Sequence, residues 1–455
     1  MDNTIENRMG TTPVNRLLIS MSLPMIGSML MQALYNIVDS MFVSQISENA
    51  LTAVSLAFPL QNLMIAVATG TGVGMNALLS KSLGERRADM VSKSARNGIF
   101  LAIMSALVFV LFGIFGTRIY FEAQIAVPEI VDYGVQYLEI CCVFSFALFG
   151  QITFERLLQS TGKTLLSMAS QLTGAIVNII FDPILIFGLL GAPKLGVAGA
   201  AIATVFGQFV AMMIGLTLNI KKNHEVDLKG GLKPEGHIIK RIYAVGLPSI
   251  VMVAITSVTT FLMNLILIGF TSTAAAVFGA YYKLQSFVFM PIFGLNNGMV
   301  PIVAYNYGAK KPDRIKKTVK LSAIYAMGIM AVGLLLFMIM PAELLGIFNA
   351  SPKMVDIGVP ALRIISTSFV FAGFCISAGS VFQALGDGMK SLLVSVARQL
   401  VVLVPSAYLL SLTGNLDLVW LAFPIAEVAS VTVTTIFLRK IMRTHVEPLY
   451  KTAAE

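Results

Sequence analysis

The chain has 455 residues, 56% hydrophobic and only 12% charged, with a formal net charge of +9 and a mean hydropathy of +0.83. A soluble domain carries about 25% charged residues, so a soluble globular protein is excluded and a multi-span membrane protein is implied. The basic residues fall between apolar runs, which points to membrane orientation and away from nucleic acid; Cys141, Cys142 and Cys375 lie in apolar runs without CxxC spacing, which excludes a disulfide framework and a zinc site.

Runs long enough to cross a bilayer, about 20 apolar residues each, recur along nearly the whole chain. They predict spans at 17–43, 51–79, 97–117, 135–158, 164–190, 195–219, 240–270, 275–307, 318–341, 358–384, 391–412 and 416–438. The first run is too long for the apolar core of a signal peptide and reads as a retained span. Connecting segments alternate in charge. The basic ones are Lys81–Arg96, Arg156–Lys163, Lys221–Arg241, Lys310–Lys320, Lys390 and the tail from Arg439, whereas the others hold only Arg118, Lys194 and Lys353. The excess of Lys and Arg on one side places both termini in the cytoplasm of an inner-membrane, multi-pass protein.

A shift of 224 residues brings Pro24 onto Pro248, Leu60-Gln61 onto Leu284-Gln285, and Gly70 and Gly74 onto Gly294 and Gly298. It also brings Asp89 onto Asp313, Gln159 onto Gln383 and Gly162 onto Gly386. Each unit holds six spans, an even number, so the two halves enter the membrane in the same sense. The expected fold class is therefore an all-α membrane protein of twelve transmembrane helices in two parallel-repeat six-helix bundles. The expected divisions are an N-terminal bundle over 1–220, a charged, flexible cytoplasmic linker over 221–240 and a C-terminal bundle over 241–455.

Within the apolar runs a few polar residues stand out. Asp39 lies near the outer end of span one, Asp182 near the outer end of span five, and Thr204 just inside span six. At 1.5 Å rise per residue all three sit roughly 10–13 Å below the outer surface. Asn178 is one turn deeper than Asp182 on the same helical face, and Pro183 frees the carbonyl of Ile179. A carboxylate at the bilayer centre costs about 2.5–3.5 kcal/mol on insertion scales, so these residues form a functional-site hypothesis. Carboxylate, amide and hydroxyl oxygens suit a small hard cation. The same carboxyls can load a proton, because burial and a nearby like charge both favour the neutral acid. The expected cation or proton site is Asp39, Asn178, Asp182 and Thr204, with Na+ or H+ as the coupling ion and no other cofactor. The repeat-matched positions carry no acid: Asp39 falls on Met263 and Asp182 on Ser406. Coupling is expected in the first half alone.

Other polar residues are candidates for a substrate cavity: Tyr35, Asn36, Gln61 and Met64 in the first half, with Tyr281, Lys283, Gln285 and Met290 in the second. Methionine adapts to varied ligands. Arg398 and Glu427 fall within about two turns in height and are expected to pair. Glu155-Arg156 is expected as a solvated pair at the cytoplasmic end of span four. Ser160-Thr161-Gly162-Lys163-Thr164 mimics a phosphate loop, but the upstream glycine position holds Leu157. No HExxH or Gly-x-Ser-x-Gly occurs, and no histidine lies in a span; the chain is not expected to be an enzyme.

Tyr35–Val43, Leu51–Pro59, Asn178–Pro183, Gly196–Thr204, Gly298–Pro301 with Asn306-Tyr307-Gly308, and Phe382–Gly386 together resemble the multidrug and toxic compound extrusion (MATE) transporters, in their DinF- or MepA-like branch. The resemblance covers nearly the whole chain. It implies a V-shaped pair of six-helix bundles that exports organic cations and drugs by antiport with Na+ or H+. It also implies that Asp39, Asn178, Asp182 and Thr204 form the cation site. Some branches use acids in spans seven and ten instead, and the corresponding spans here have none. The expected function is thus secondary active multidrug efflux through alternating access. Its partners are lipophilic or cationic small molecules and the lipid bilayer, with no nucleic acid and a monomeric assembly. The alternative is a flippase or exporter of a lipid-linked or other amphipathic metabolite.

Overall fold

The computed structural model describes residues 6–454, and every regular element among them is helical. The first half contains α1 (Arg8–Thr11), α2 (Val14–Ser44), α3 (Glu48–Gly84), α4 (Ala88–Phe115), α5 (Thr117–Glu122), α6 (Pro128–Val143), α7 (Phe146–Ser160), α8 (Thr164–Phe187) and α9 (Val197–Lys222). The second contains α10 (Gly236–Ile268), α11 (Ser272–Gly308), α12 (Pro312–Ile339), α13 (Pro341–Gly346), α14 (Pro352–Ser366), α15 (Phe369–Ala384) and α16 (Gly388–Val396). A π-helical turn over Ala397–Leu403 joins α16 to α17 (Val404–Ser411), and α18 (Leu416–Trp420), α19 (Ala422–Ile441) and α20 (Glu447–Ala454) follow.

Among the described residues ten helices are long and apolar enough to cross a membrane, and twelve spans result if two bent pairs count as one each. Those pairs are α6–α7, bent by 46°, and α14–α15, bent by 50°. Each had read as one continuous run, 135–158 and 358–384. The breaks fall at Phe144-Ser145 and Thr367-Ser368, repeat-related to within one residue. Neither contains glycine or proline, so the local sequence carries no breaker signal. Serines fasten both corners: Ser145 Oγ donates to the Ala106 carbonyl (3.2 Å) and Ser368 Oγ to the Ile365 carbonyl (2.7 Å). Large apolar side chains such as Phe58, Val108, Phe115, Val332 and Ile436 are exposed, a surface suited to lipid rather than water.

The chain packs as two compact units. One runs from Gly27 to Ile250; the other comprises the chain up to Ile26 and from Val251 onward. Both divisions fall inside helices, α2 and α10, rather than in the 221–240 segment. Pro24 and Pro248, each inside its helix, stand just before the divisions and remove a backbone hydrogen bond there. The repeated glycines explain the packing on either side. In the 27–250 unit, a Cβ on Gly74 would lie 2.0 Å from the Ile242 carbonyl oxygen of α10. In the other, a Cβ on Gly298 would lie 2.8 Å from Ser22 Cα of α2. Backbones this close admit no side chain, so the glycines of α3 and α11 serve helix packing.

The segment between α9 and α10 is not a free linker. Val226 is buried with Met75, Leu79, Val91, Leu157 and Ile238, the last in the first turn of α10, in one apolar core. The Asp227 N–H donates to Ser92 Oγ (3.1 Å) and the Glu235 N–H to Asn97 Oδ1 (2.8 Å). Lys93 pairs with Glu235 at 3.3 Å.

These contacts predict opposite outcomes for two alanine substitutions. Gly74→Ala forces the α3–α10 backbones apart and is expected to cost about 1–3 kcal/mol, as overpacking does. Gly328→Ala meets nothing within 4 Å and should be neutral or stabilising by up to ~1 kcal/mol through helix propensity. Thermal unfolding of the two variants in detergent checks the contrast.

Candidate functional site

The predicted cation-site residues all lie in the 27–250 unit. Asp182 and Asn178 share one face of α8 and are fully buried, at 0% and 3% exposure. Thr204 comes from the first two turns of α9 and Asp39 from the last two turns of α2; both are half-buried. Close approach of α8 and α9 brings them together. A Cβ on Gly174 would lie 2.8 Å from the Gly207 carbonyl oxygen, and one on Gly207 would lie 3.0 Å from Asn178 Cβ. With no side chain in between, Asn178 Nδ2 donates to Thr204 Oγ1 at 3.3 Å.

The carboxyl groups of Asp39 and Asp182 are neighbours that interact directly, and Tyr35, one turn before Asp39 on α2, lies near both. Asp39 Oδ1, Asn178 Oδ1 and both carboxylate oxygens of Asp182 are buried without a hydrogen-bond partner among the described residues. Leaving one such group unpaired costs about 1–3 kcal/mol, and more when it is charged. Four acceptor oxygens without a donor form the complement of a small cation or a proton. Among the described residues no group of three or more His, Cys, Asp or Glu side chains converges, so the donor set is two carboxylates supplemented by amide and hydroxyl oxygens. That composition is one of hard oxygen ligands, which suit a small hard cation.

Near Asp39 lies a contact that residue-by-residue reading missed. Tyr137 and Cys141, one turn apart on α6, both stand near Asp39. Gln61 of α3 donates to Tyr137 Oη at 3.2 Å and approaches Cys141 Sγ at 3.6 Å. The available signal was the spacing of two polar groups at i and i+4 inside an apolar run.

The proposed cavity residues fare differently. Asn36 is exposed and Tyr35 half-buried, but Met64 is 2% exposed and packs its sulfur 3.8 Å from Cys142 Sγ. Tyr281 is 3% exposed, inside an aromatic cluster with Phe278, Phe337 and Phe423. Lys283 follows the exposed Tyr282 in sequence. It is exposed, and its Nζ stands 6.0 Å from the centre of the Phe348 ring, a cation–π arrangement. Gln285 and Met290 are half-buried. These second-half residues belong to the other unit.

Two charged pairs were read from position alone. Arg398 and Glu427 do pair, Nη1 to Oε2 at 3.5 Å. Glu155-Arg156 is not solvated: the residues are 6% and 8% exposed. Glu155 Oε1 accepts from Gln151 Nε2 (3.0 Å), Arg156 Nη1 donates to Gln159 Oε1 (3.0 Å), and Gln159 Nε2 donates to Ser167 Oγ (2.9 Å). Gly72 makes room for the arginine, since a Cβ there would lie 2.8 Å from Arg156 Cγ.

The uncompensated acids predict a stability that rises when function is removed. Asp182→Asn keeps the shape and lets an amide donate to Asp39. The variant is expected to unfold at the same temperature as the wild type or higher, because an unpaired buried acid is replaced by a neutral group. A fall of several degrees in detergent would show that Asp182 has a structural partner.

Comparison with known proteins places this geometry among relatives. The family model MatE matches residues 24–184 and again 248–409, two segments whose starts are separated by the repeat offset. The chain is 26% identical over 401 residues to the multidrug export protein MepA of Staphylococcus haemolyticus (strain JCSC1435), covering 88% of each chain. It is also 26% identical over 435 residues to a protein named FAD transporter from Shewanella oneidensis (strain ATCC 700550 / JCM 31522 / CIP 106686 / LMG 19005 / NCIMB 14063 / MR-1), covering 92% of each. Among solved structures, the outward-facing conformation of a multidrug resistance MATE family transporter of the MOP superfamily superimposes with a TM-score of 0.91. That match has 25% identity and covers 99% of this chain and 100% of the other.

Proposed function

The chain belongs to the MatE family, a membrane transporter and not an enzyme, and on that premise we propose that it exports lipophilic organic cations and drugs in exchange for H+ or Na+. The observation that carries this reading is the set of four buried acceptor oxygens on Asp39, Asn178 and Asp182 without a donor. A Na+ ion would take those oxygens as ligands; a proton would sit between the two carboxyl groups. In either case the ion removes the penalty of an unpaired carboxylate in an apolar surround.

Exchange then follows from linkage. An ion shifts the equilibrium between two access states only by its differential affinity for them, and a neutralised pair tolerates a closed, dry surround better than an anionic one. Ion loading therefore favours one orientation and ion release the other, while cargo biases the same equilibrium in the opposite sense. The basic segments on one side support an inner-membrane orientation with both termini in the cytoplasm. A second reading, export of an amphipathic metabolite, draws support from the relative named FAD transporter.

The test uses the full chain in proteoliposomes, with pH and Na+ gradients imposed separately. Wild type is expected to move ethidium against its gradient under one of the two, and Asp39→Asn and Asp182→Asn are each expected to lower that rate at least tenfold while inserting normally. Gradient-driven efflux by Asp182→Asn at the wild-type rate would overturn the reading. Efflux of FAD in place of ethidium would select the metabolite exporter.

A further inference from the structure

Arg398 is a charged residue of the second half that this mechanism leaves unused. It sits in the π-helical turn Ala397–Leu403, between α16 and α17, in a segment apolar enough to span the membrane. π-turns inside α-helices recur at functional sites, and an ionisable residue within a span is a functional candidate by default.

Its partner, Glu427 of α19, is 5% exposed, yet the pairing is slack. The contact between Arg398 Nη1 and Glu427 Oε2 is 3.5 Å, against about 2.7–2.9 Å for a tight charge-assisted bond. Arg398 is 28% exposed and has no other ion pair or hydrogen bond among the described residues, so most of its five N–H donors stay available. Cys375, Ser430 and Thr434 gather around the carboxylate, while Glu427 Oε1, Ser430 Oγ and Thr434 Oγ1 are buried with no hydrogen bond of ordinary geometry. Ser430 and Thr434 follow Glu427 along α19 and are 0% exposed. A pair kept only for stability would be closed and fully hydrogen-bonded; this one is open on the guanidinium side.

Its place in the repeat adds to the case. Shifted by 224 residues, Thr204 falls on Val428, next to Glu427, and Asn178 falls on Val402, one turn from Arg398. Each half thus holds an ionisable centre between its fifth and sixth spans, acidic in the first and cationic with a counter-ion in the second. Phe423, half-buried and one turn before Glu427, and Tyr282, 38% exposed, both flank Phe278 at ring distances of 6.1 and 6.3 Å. Tyr281, which packs on Phe278 and Phe423, stands near both Arg398 and Glu427.

We propose that Arg398 is an oxyanion subsite that binds the carboxylate or phosphate of an amphipathic aromatic anion, while Glu427 holds Nη1 and orients the open edge of the guanidinium. Planar N–H pairs match either oxyanion bidentately, which a lysine ammonium does not. The subsite would widen the cargo to anionic compounds, and it does not depend on which ion the Asp39–Asp182 pair carries.

Equilibrium binding to the purified full chain in detergent, with no ion gradient, tests this separately from transport. The probes are carboxyfluorescein, followed by anisotropy, and ethidium. Wild type is expected to bind carboxyfluorescein, with displacement by benzoate, by phenyl phosphate or by both. Arg398→Gln should weaken carboxyfluorescein at least tenfold and leave ethidium within twofold, and Arg398→Lys should recover only part of the loss. Glu427→Gln removes the internal counter-ion and should strengthen carboxyfluorescein several-fold; this variant decides the matter if Arg398→Gln fails to fold. The proposal is overturned if wild type does not bind carboxyfluorescein, if neither competitor displaces it, if Arg398→Gln leaves its affinity unchanged or weakens both probes alike, or if Glu427→Gln weakens or does not change it.

Discussion

The structure turns on an electrostatic debt held in one place: two neighbouring carboxyl groups, Asp39 and Asp182, in an apolar bundle with no basic partner among the described residues. Transferring a charged group from water to such a surround is so unfavourable that proteins normally pair it, hydrogen-bond it or neutralise it. Here Asp182 is fully buried and neither of its oxygens has a partner among the described residues. In the function proposed above, that missing partner is an ion that comes and goes. A fold that needs a transient ligand to satisfy its own interior is suited to coupling, because the ion's arrival and departure change the stability of each access state by different amounts.

The rest of the fold presents that pair. Close approach of α8 and α9 at Gly174 and Gly207 sets Asn178 against Thr204, and α6 adds Tyr137 and Cys141 on the side of Asp39. Elsewhere the repeated glycines of α3 and α11 let single halves of α10 and α2 pack backbone to backbone. Each of these two helices contributes to both compact units, with proline beside the division. Outside the acidic site, Glu155 accepts from Gln151, and Arg156, Gln159 and Ser167 form a connected chain of hydrogen bonds. Among the buried atoms without a partner, those of Asp39, Asp182 and Glu427 belong to ionisable side chains, the kind most costly to leave unpaired.

Much of this was legible in the amino-acid order, for a physical reason. In a chain with so few charges inside its apolar runs, an aspartate there is rare enough to be noticed, and helical spacing links Asn178 to Asp182 without knowledge of the fold. The constant repeat offset likewise exposed the two-half plan, and the double match of the family model follows the same offset. What stayed hidden depended on tertiary packing. The corners at Phe144-Ser145 and Thr367-Ser368 lack proline and glycine and looked like unbroken spans. Glu155-Arg156 stood at the end of a run, where sequence position does not distinguish a solvated pair from a buried one; the space left by Gly72 decides it. Composition changed at 221–240, but Val226 and Ile238 anchor that segment in a core, and the packing divides within α2 and α10 instead. Tyr281 and Met64 were plausible cavity residues by type, yet neighbouring rings and sulfur enclose them.

The most direct test of the exchangeable ion is the ion released when cargo binds to the purified chain. In weakly buffered detergent solution, proton release can be followed with an indicator dye and Na+ release with a selective electrode as ethidium is added. The account predicts release of one of these ions by the wild type, in proportion to ethidium bound, and its loss in Asp182→Asn, as linkage between two ligands of one equilibrium requires. Ethidium binding by the wild type with no release of either ion, or equal release from wild type and Asp182→Asn, would contradict it.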